Sequence, residues 1–339
     1  AAESEELELS EHARRAFKKA ARSALSWPVS AQLLFERGES LTELRSVGPY
    51  LASQLSQWLA DPPLLPVPPP SRQGFLSRVE AKEILDSAPL GTVPLGDLHA
   101  HTVWSDGKAT VMEMAVAAEQ RGYNYLAITD HAKNLKIAGG LDEARLEAQG
   151  LEIAATNAEL QQRGFRVRLL RSSEINFDPQ GRPDYPPEIL RRLDFVIGAF
   201  HSKLRLTEDQ TERYLAALLC PEVDVLAHPR GRIFNHRLGL NADWELVCRA
   251  AARLGKALEI DGIPDRQDLS GDILALAARH DVWISLGSDA HNTEQLHFLD
   301  FALAGALKAG IRPERILNLL TLDQLLEWRN SRLAQPLVL

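Results

Sequence analysis

From residue 93 onward the chain alternates short apolar runs with stretches of helical spacing. The runs fall at 94–99, 124–129, 167–173, 194–200, 223–227, 256–261 and 282–288. Each is short and almost continuously apolar, as a strand covered on both faces must be. Helices are predicted near 109–121, 141–163, 186–192, 208–219, 242–254 and 270–280, with more helix from 294 to the end. Strands joined by crossover helices pair in parallel. Such units predict an α/β protein whose sheet curls into a closed or nearly closed barrel. Chemistry in such barrels sits at the mouth formed by the carboxyl ends of the strands.

Side chains of metal-ligand type collect at those ends. They are His99 and His101, Asp106, His131, Glu174, His201, His228, and Asp289 and His291. This reading places a ligand at each of seven successive strand ends, which describes a mouth built for several metal ions. His99 and His101 flank Ala100, so on a strand both face one side and can share an ion. Imidazoles with a few carboxylates suit Zn, Mn or Fe better than Ca or Mg. Glu174 has two oxygens with which to bridge neighbouring ions. His12, His236, His280 and His297 follow no apolar run and read as ordinary histidines.

The formal net charge of −8 argues against a chain that lives by nonspecific nucleic-acid binding, so any such partner must meet a local basic patch. Cys220 and Cys248 lie in apolar helical contexts and read as buried thiols, which fits a cytoplasmic protein. No apolar run is long enough to span a membrane, and no partner membrane is expected.

Six prolines within residues 61–71 rule out a helix there and mark a domain boundary. The chain is accordingly divided into a helical domain (1–60), a proline-rich linker (61–76), a connecting helix (77–92) and the barrel (93–339). Before the linker, SEHARRAFKKAARSAL starts at Ser10 as a possible N-cap and carries Arg14, Arg15, Lys18, Lys19 and Arg22. A turn at Val47-Gly48-Pro49 then separates two short amphipathic segments. Residues 1–60 hold seven Lys or Arg against eight Asp or Glu, so the module is not basic as a whole.

The motifs GDLHAHTVWSDGKAT, YLAITDHAKNLKIAGGLDEARL, VIGAFHSKL, DVLAHPRGR, LEIDGIPDRQDL and SLGSDAHNTEQL resemble the polymerase-and-histidinol-phosphatase (PHP) domain. They are most similar to the version at the carboxyl end of bacterial family X DNA polymerases. The resemblance implies a distorted (β/α)7 barrel with two to three divalent metals, Mn²⁺ or Zn²⁺, with Fe also compatible. Carried over position by position, one ion falls to His99, His101, Glu174 and Asp289. A second shares Glu174 and takes His201 and His228, and a third takes Asp106, His131 and His291.

RRAFKKAARSAL and GESLTELRSVGPYLASQLSQWL resemble the helix-hairpin-helix domain that opens the same polymerases, a module that binds DNA backbone. Ser46 stands where that hairpin usually has its first glycine. Gln54 and Tyr50 stand where lyase-competent relatives carry lysines, so no sugar-phosphate lyase activity is expected. The nucleotidyltransferase region that lies between these two parts in the polymerases is absent here.

The implied function is a multinuclear metal-dependent phosphoesterase, foremost a DNA nuclease. It would act as a 3′–5′ exonuclease or on 3′ ends, in DNA repair, with a metal hydroxide attacking phosphorus. Asp289 and His291 are expected to orient the water, and Arg230 and Lys133 to hold phosphate oxygens. Lys203, Arg205 and Arg232 are further candidates for phosphate, while Asp265 and Arg266 read as a structural pair bracing the mouth. The alternatives are a small-molecule phosphomonoesterase of the histidinol-phosphatase type and a noncatalytic DNA-tethered regulator. DNA and a small phosphate ester are thus the two candidate partners.

Overall fold

The computed structural model describes residues 10–64 and 67–335. The outer residues of the helical segment, two linker residues and the last four of the barrel segment lie outside that range. Seven parallel strands form one sheet in sequence order: β1 (Gly96–Ala100), β2 (Tyr125–Ile128), β3 (Arg168–Asn176), β4 (Phe195–Ala199), β5 (Val225–Leu226), β6 (Ala257–Asp261) and β7 (Trp283–Gly287). Each strand pairs in parallel with its neighbour in the chain, as crossover connections allow.

Helices α1 (Glu11–Ala24), α2 (Ala31–Glu36), α3 (Pro49–Ala60) and α4 (Arg78–Asp86) precede the sheet. Between the strands lie α5 (Val111–Gln120), α6 (Glu143–Gln162), α7 (Pro187–Leu190), α8 (Thr211–Leu218), α9 (Trp244–Arg253) and α10 (Asp272–Arg279). After them come α11 (Leu299–Lys308) and α12 (Leu322–Leu333). Among the described residues no helix is long and apolar enough to cross a membrane.

The seam between β7 and β1 is closed by two devices. Near the mouth, the His101 amide donates to the Ala290 carbonyl at 2.8 Å. Near the floor, the Asn318 side chain accepts from Leu286 N at 2.7 Å and donates to the carbonyls of Gly96 and Leu286 at 2.9 Å. One amide thus satisfies backbone groups on both edges, which would otherwise be buried without partners. The barrel interior is filled from below by Tyr125, Leu170, Phe195, Ile197, Val225 and Leu325. A larger apolar layer lies between strands and outer helices, with Met114, Leu126, Ile153, Val196, Val247 and Leu303 among its members.

The helical segment has its own small core around Phe17, Trp27, Leu34, Leu41 and Leu51. Ser10 caps α1 as expected, and Gly48 with Pro49 opens α3. Ser46 adopts φ 68°, a left-handed conformation that favours glycine. The end of the linker is fixed rather than loose. Gln267 both donates to Leu76 O and accepts from Leu76 N at 2.8 Å, and Arg232 stacks 3.7 Å from the Phe75 ring centroid. Both cysteines are free thiols, Cys248 buried and Cys220 partly so.

Candidate metal centre

All nine predicted ligands meet at the carboxyl end of the barrel. They come from six strand ends rather than seven. The exception is β6, whose inward side chains are Glu259 and Asp261, and it supports the centre instead of joining it.

The inward parity of each strand explains most of the placement. Leu170, Ser172 and Glu174 share one face of β3, and Ile197, Ala199 and His201 continue one face of β4. His228 and Asp289 are aimed differently, with φ values of 26° and 48°. Non-glycine residues in that region are strained, and such strain concentrates at functional sites. Gly287 is required beside them, because a Cβ there would collide with the Glu259 carboxylate and the His99 side chain.

Glu174 stands at the middle, fully buried. Its Oε1 is 2.8 Å from His228 Nε2 and 3.2 Å from His201 Nε2. Its Oε2 is 2.7 Å from His131 Nδ1, 3.5 Å from His99 Nε2 and 3.6 Å from His101 Nε2. Asp289 Oδ1 lies 3.0 Å from His101 Nε2 and 3.6 Å from His99 Nε2. Asp106 reaches toward His291 at 3.4 Å and His131 at 3.6 Å.

Four sets place their ligand atoms within 4.8 Å of one another: His99-His101-Glu174, His99-His228-Asp289, His131-Glu174-His201 and His101-Asp106-His131-His291. Asp106, His131 and His291 group as the resemblance implies, with His101 added, whereas Asp289 groups with His99 and His228, and His201 with His131 and Glu174.

The donors suit divalent ions on the structure's own terms. His99 Nε2 and His101 Nε2 face each other at 3.1 Å inside the protein. His101 Nδ1 and Glu174 Oε2 are buried without a hydrogen-bond partner, since His131 Nδ1 approaches Oε2 at a poor angle. Buried polar groups in that state are costly unless something else satisfies them. Borderline-soft cations that accept imidazole and carboxylate together meet that demand.

Electrostatics agree. Burial opposes charge on His99, but Glu259, Asp289 and Glu174 push its pKa well above the ordinary value. Burial, with His131 and His291 nearby, pulls His101 down to about 3. Burial is outweighed at His131, where Glu174 and Asp106 raise the pKa to about 10. Burial would also raise Glu174, yet His131, His201 and His99 hold it well below the carboxylate range.

Several supporting residues were not singled out from sequence. Glu259 Oε1 takes His99 Nδ1 at 2.7 Å, and its Oε2 accepts from His228 N at 2.6 Å. Asn176 Oδ1 is 2.7 Å from His201 Nδ1. Asp130 accepts from Thr102 N, Ser105 Oγ and Gln149 Nε2, fixing the loop that carries Asp106. Such partners orient ligands before an ion arrives. A buried strand reading Leu-Glu-Ile-Asp was the available signal for Glu259 and Asp261, since acids rarely face a core without a task.

The expected phosphate-binding pair is not assembled. Lys133 donates to Glu143 and lies 5.6 Å from the Tyr185 ring centroid. Arg230 lines a small outer cavity with Arg232, Arg237 and Phe75. The cavity that touches His201 and His228 is lined instead by Arg237 and Arg266, with Arg232. Asp265 and Arg266 do not pair with each other. Arg266 donates to Asp289 Oδ2 at 2.8 Å and Asp261 Oδ2 at 3.3 Å, whereas Asp265 is engaged by Arg22 of α1. The reason is topological: successive loop residues project to different sides, one inward and one toward the helical module.

Residues 97–263 match the family described as PHP domain. A Bacillus subtilis protein named DNA polymerase/3′-5′ exonuclease PolX is 36% identical over 75% of this chain, which covers 44% of that protein. A probable phosphatase from Thermoanaerobacter sp. is 30% identical over 66% of this chain and 89% of its own length. Among solved structures, the Lactococcus lactis histidinol phosphate phosphatase, complexed with zinc, L-histidinol and phosphate, matches with TM-score 0.48 and 20% identity. That match covers 65% of this chain and 95% of the other.

Proposed function

The chain belongs to the PHP-domain family of metal-dependent phosphoesterases, and on that premise we propose that it is a nuclease acting on DNA. The observation that carries this reading is the cleft between the helical module and the barrel mouth. The cleft encloses about 450 Å³. Lys19, Arg22, Arg45 and Ser46 line one wall, and Ile263, Pro264, Asp265, Gln295 and Phe298 line the other. Gln295 accepts from the His291 amide at 2.7 Å, and Asp265 adjoins the arginine that holds Asp289. A backbone lying across Lys19 and Arg45 would therefore run beside the loops that carry Arg266 and His291. Single strands are held by cationic grooves of this kind.

Two to three divalent ions, Mn²⁺ or Zn²⁺ with Fe also compatible, would be held by His99, His101, Glu174 and Asp289, by Glu174, His201 and His228, and by Asp106, His131 and His291. When bound, such ions acidify water and neutralise charge on a phosphoryl group. The chain's own residues supply the rest. Arg266 restrains Asp289 through Oδ2, leaving Oδ1 directed at the histidines. The His291 ring nitrogen Nδ1 is 2.8 Å from Asp289 O, which orients Nε2 toward Asp106. Asp289 and His291 thus occupy the wall nearest the cleft, where a water must be aligned with phosphorus.

A second reading, hydrolysis of a small phosphomonoester, is supported by the probable phosphatases whose length this chain nearly covers. Incubating the protein and its D289A variant with Mn²⁺ and end-labelled single-stranded DNA separates the two. A ladder of shortened products from the wild type alone supports the nuclease. An intact oligonucleotide together with phosphate release from p-nitrophenyl phosphate supports the phosphatase.

A further inference from the structure

The loops after β4 and β5 carry Lys203, Arg205, Arg230, Arg232 and Arg237 against the acids Glu208, Asp209 and Asp243. Among the described residues, Arg205, Arg230 and Arg237 have no carboxylate at ion-pair distance, although acids outnumber Lys and Arg 46 to 38 in the chain. Asp268, the buried acid beneath this loop, accepts from the backbone amides of Arg230, Gly231 and Arg232.

The guanidinium groups are held near one another by neutral contacts. Arg237 Nε donates to Gly231 O at 2.6 Å, and Arg205 Nη2 lies 2.7 Å from His236 Nε2. Arg230 Nε is buried without a partner. Burial, then the charges of Arg266 and Arg205, depress the pKa of Arg237 against the pull of Asp268. Like charges gathered this way destabilise a fold unless an anion joins them.

Arg237 lines both the cavity that touches His201 and His228 and, with Arg230, the outer cavity, so the tract starts at the metal centre and runs outward to Arg230, with Arg205 held beside it against His236. It lies on the β4–β5 side, whereas the Lys19–Arg45 cleft flanks the loops after β6 and β7. A single reacting phosphate at the ions cannot engage a tract that leads away from them.

We propose that Arg205, Arg230 and Arg237 form a subsite for a second phosphate of the substrate, the one adjacent to the phosphate being cleaved in a nucleic-acid strand. This rests on the nuclease reading. The two cationic surfaces then hold the strand on both sides of the reacting bond. Guanidinium is suited to the task because its planar fork matches phosphate oxygens.

The test uses the full chain with Mn²⁺ and tetranucleotides in which one phosphate next to the cleaved bond is native or a neutral methylphosphonate. Wild-type kcat/KM should fall about tenfold with the neutral linkage on one side of the cleaved bond. In R205A/R237A the ratio between the two substrates should collapse to about one. Because the readout is a ratio within each protein, partial misfolding does not imitate it. A ratio near one in wild type, or an unchanged ratio in the variant, overturns the subsite. If wild type cleaves no tetranucleotide, the nuclease reading fails separately. The same oligonucleotides as inhibitors of p-nitrophenyl phosphate hydrolysis then decide the subsite, with equal inhibition by both forms overturning it.

Discussion

The two ends of the barrel bury polar groups in opposite ways. At the floor, Asp224 is fully buried and takes Arg329 Nε at 2.9 Å, Arg332, and the Val196 amide at 2.8 Å. Lys256 donates to the carbonyls of Cys220, Pro221 and Val223, and Asn318 closes the seam. The chain supplies nearly every partner itself. At the mouth, six imidazoles and three carboxylates face one another, with His101 Nδ1 and Glu174 Oε2 left over. The same desolvation cost is met internally at one end and left for an outside cation at the other. The floor therefore serves stability, and the mouth serves chemistry.

That contrast breaks first at Glu174, which touches five of the six histidines. E174Q should lower activity by roughly a thousandfold, several kcal/mol of lost transition-state stabilisation, and reduce bound metal as read by elemental analysis. Urea denaturation of the chelator-treated proteins should show a much smaller difference. The floor gives the converse. R329M leaves Asp224 short of a buried partner and should destabilise by about 3 kcal/mol, with turnover per folded molecule little changed. Chelator should not alter that difference.

A milder change sharpens the boundary between the ends. E259Q keeps the shape of the side chain but weakens the acceptor for His99, and should cost about 10- to 100-fold in metal affinity. Titration of the stripped protein with Zn²⁺ measures this. The smallest effect is a pH dependence at the floor. Burial, followed by the charge of Arg332, lowers the pKa of Lys256 from 10.5 to about 7. Below about 7 both folded and unfolded chains hold the proton and the burial penalty is complete. Between 7 and 10.5 only the unfolded chain holds it, so stability should rise with pH across that window. K256M should flatten this rise in denaturation curves recorded at about pH 7 and about pH 9.

The parts of the molecule legible in sequence were those written locally. Apolar runs gave the strands within a few residues, and ligand types just past them gave all nine mouth residues. Long-range partners left no such mark. Glu259 meets His99 across 160 residues, and Arg232 meets the linker across more than 150. Arg266 and Asp265 are adjacent and suggest one pair, yet loop geometry sends them to Asp289 and Arg22. Lys133 follows His131 closely enough in sequence to suggest a phosphate ligand, but it donates to the Glu143 carboxylate at the start of α6. Asn318 carried no signal, since an asparagine between apolar residues is compatible with any turn.

The most direct test of the central claim is calorimetry of the full chain before and after chelation, with Mn²⁺ titrated back. The account predicts that stripping lowers Tm, that Mn²⁺ restores it saturably, and that E174A responds to neither treatment. A stripped protein as stable as the untreated one, and indifferent to added Mn²⁺ or Zn²⁺, would contradict it.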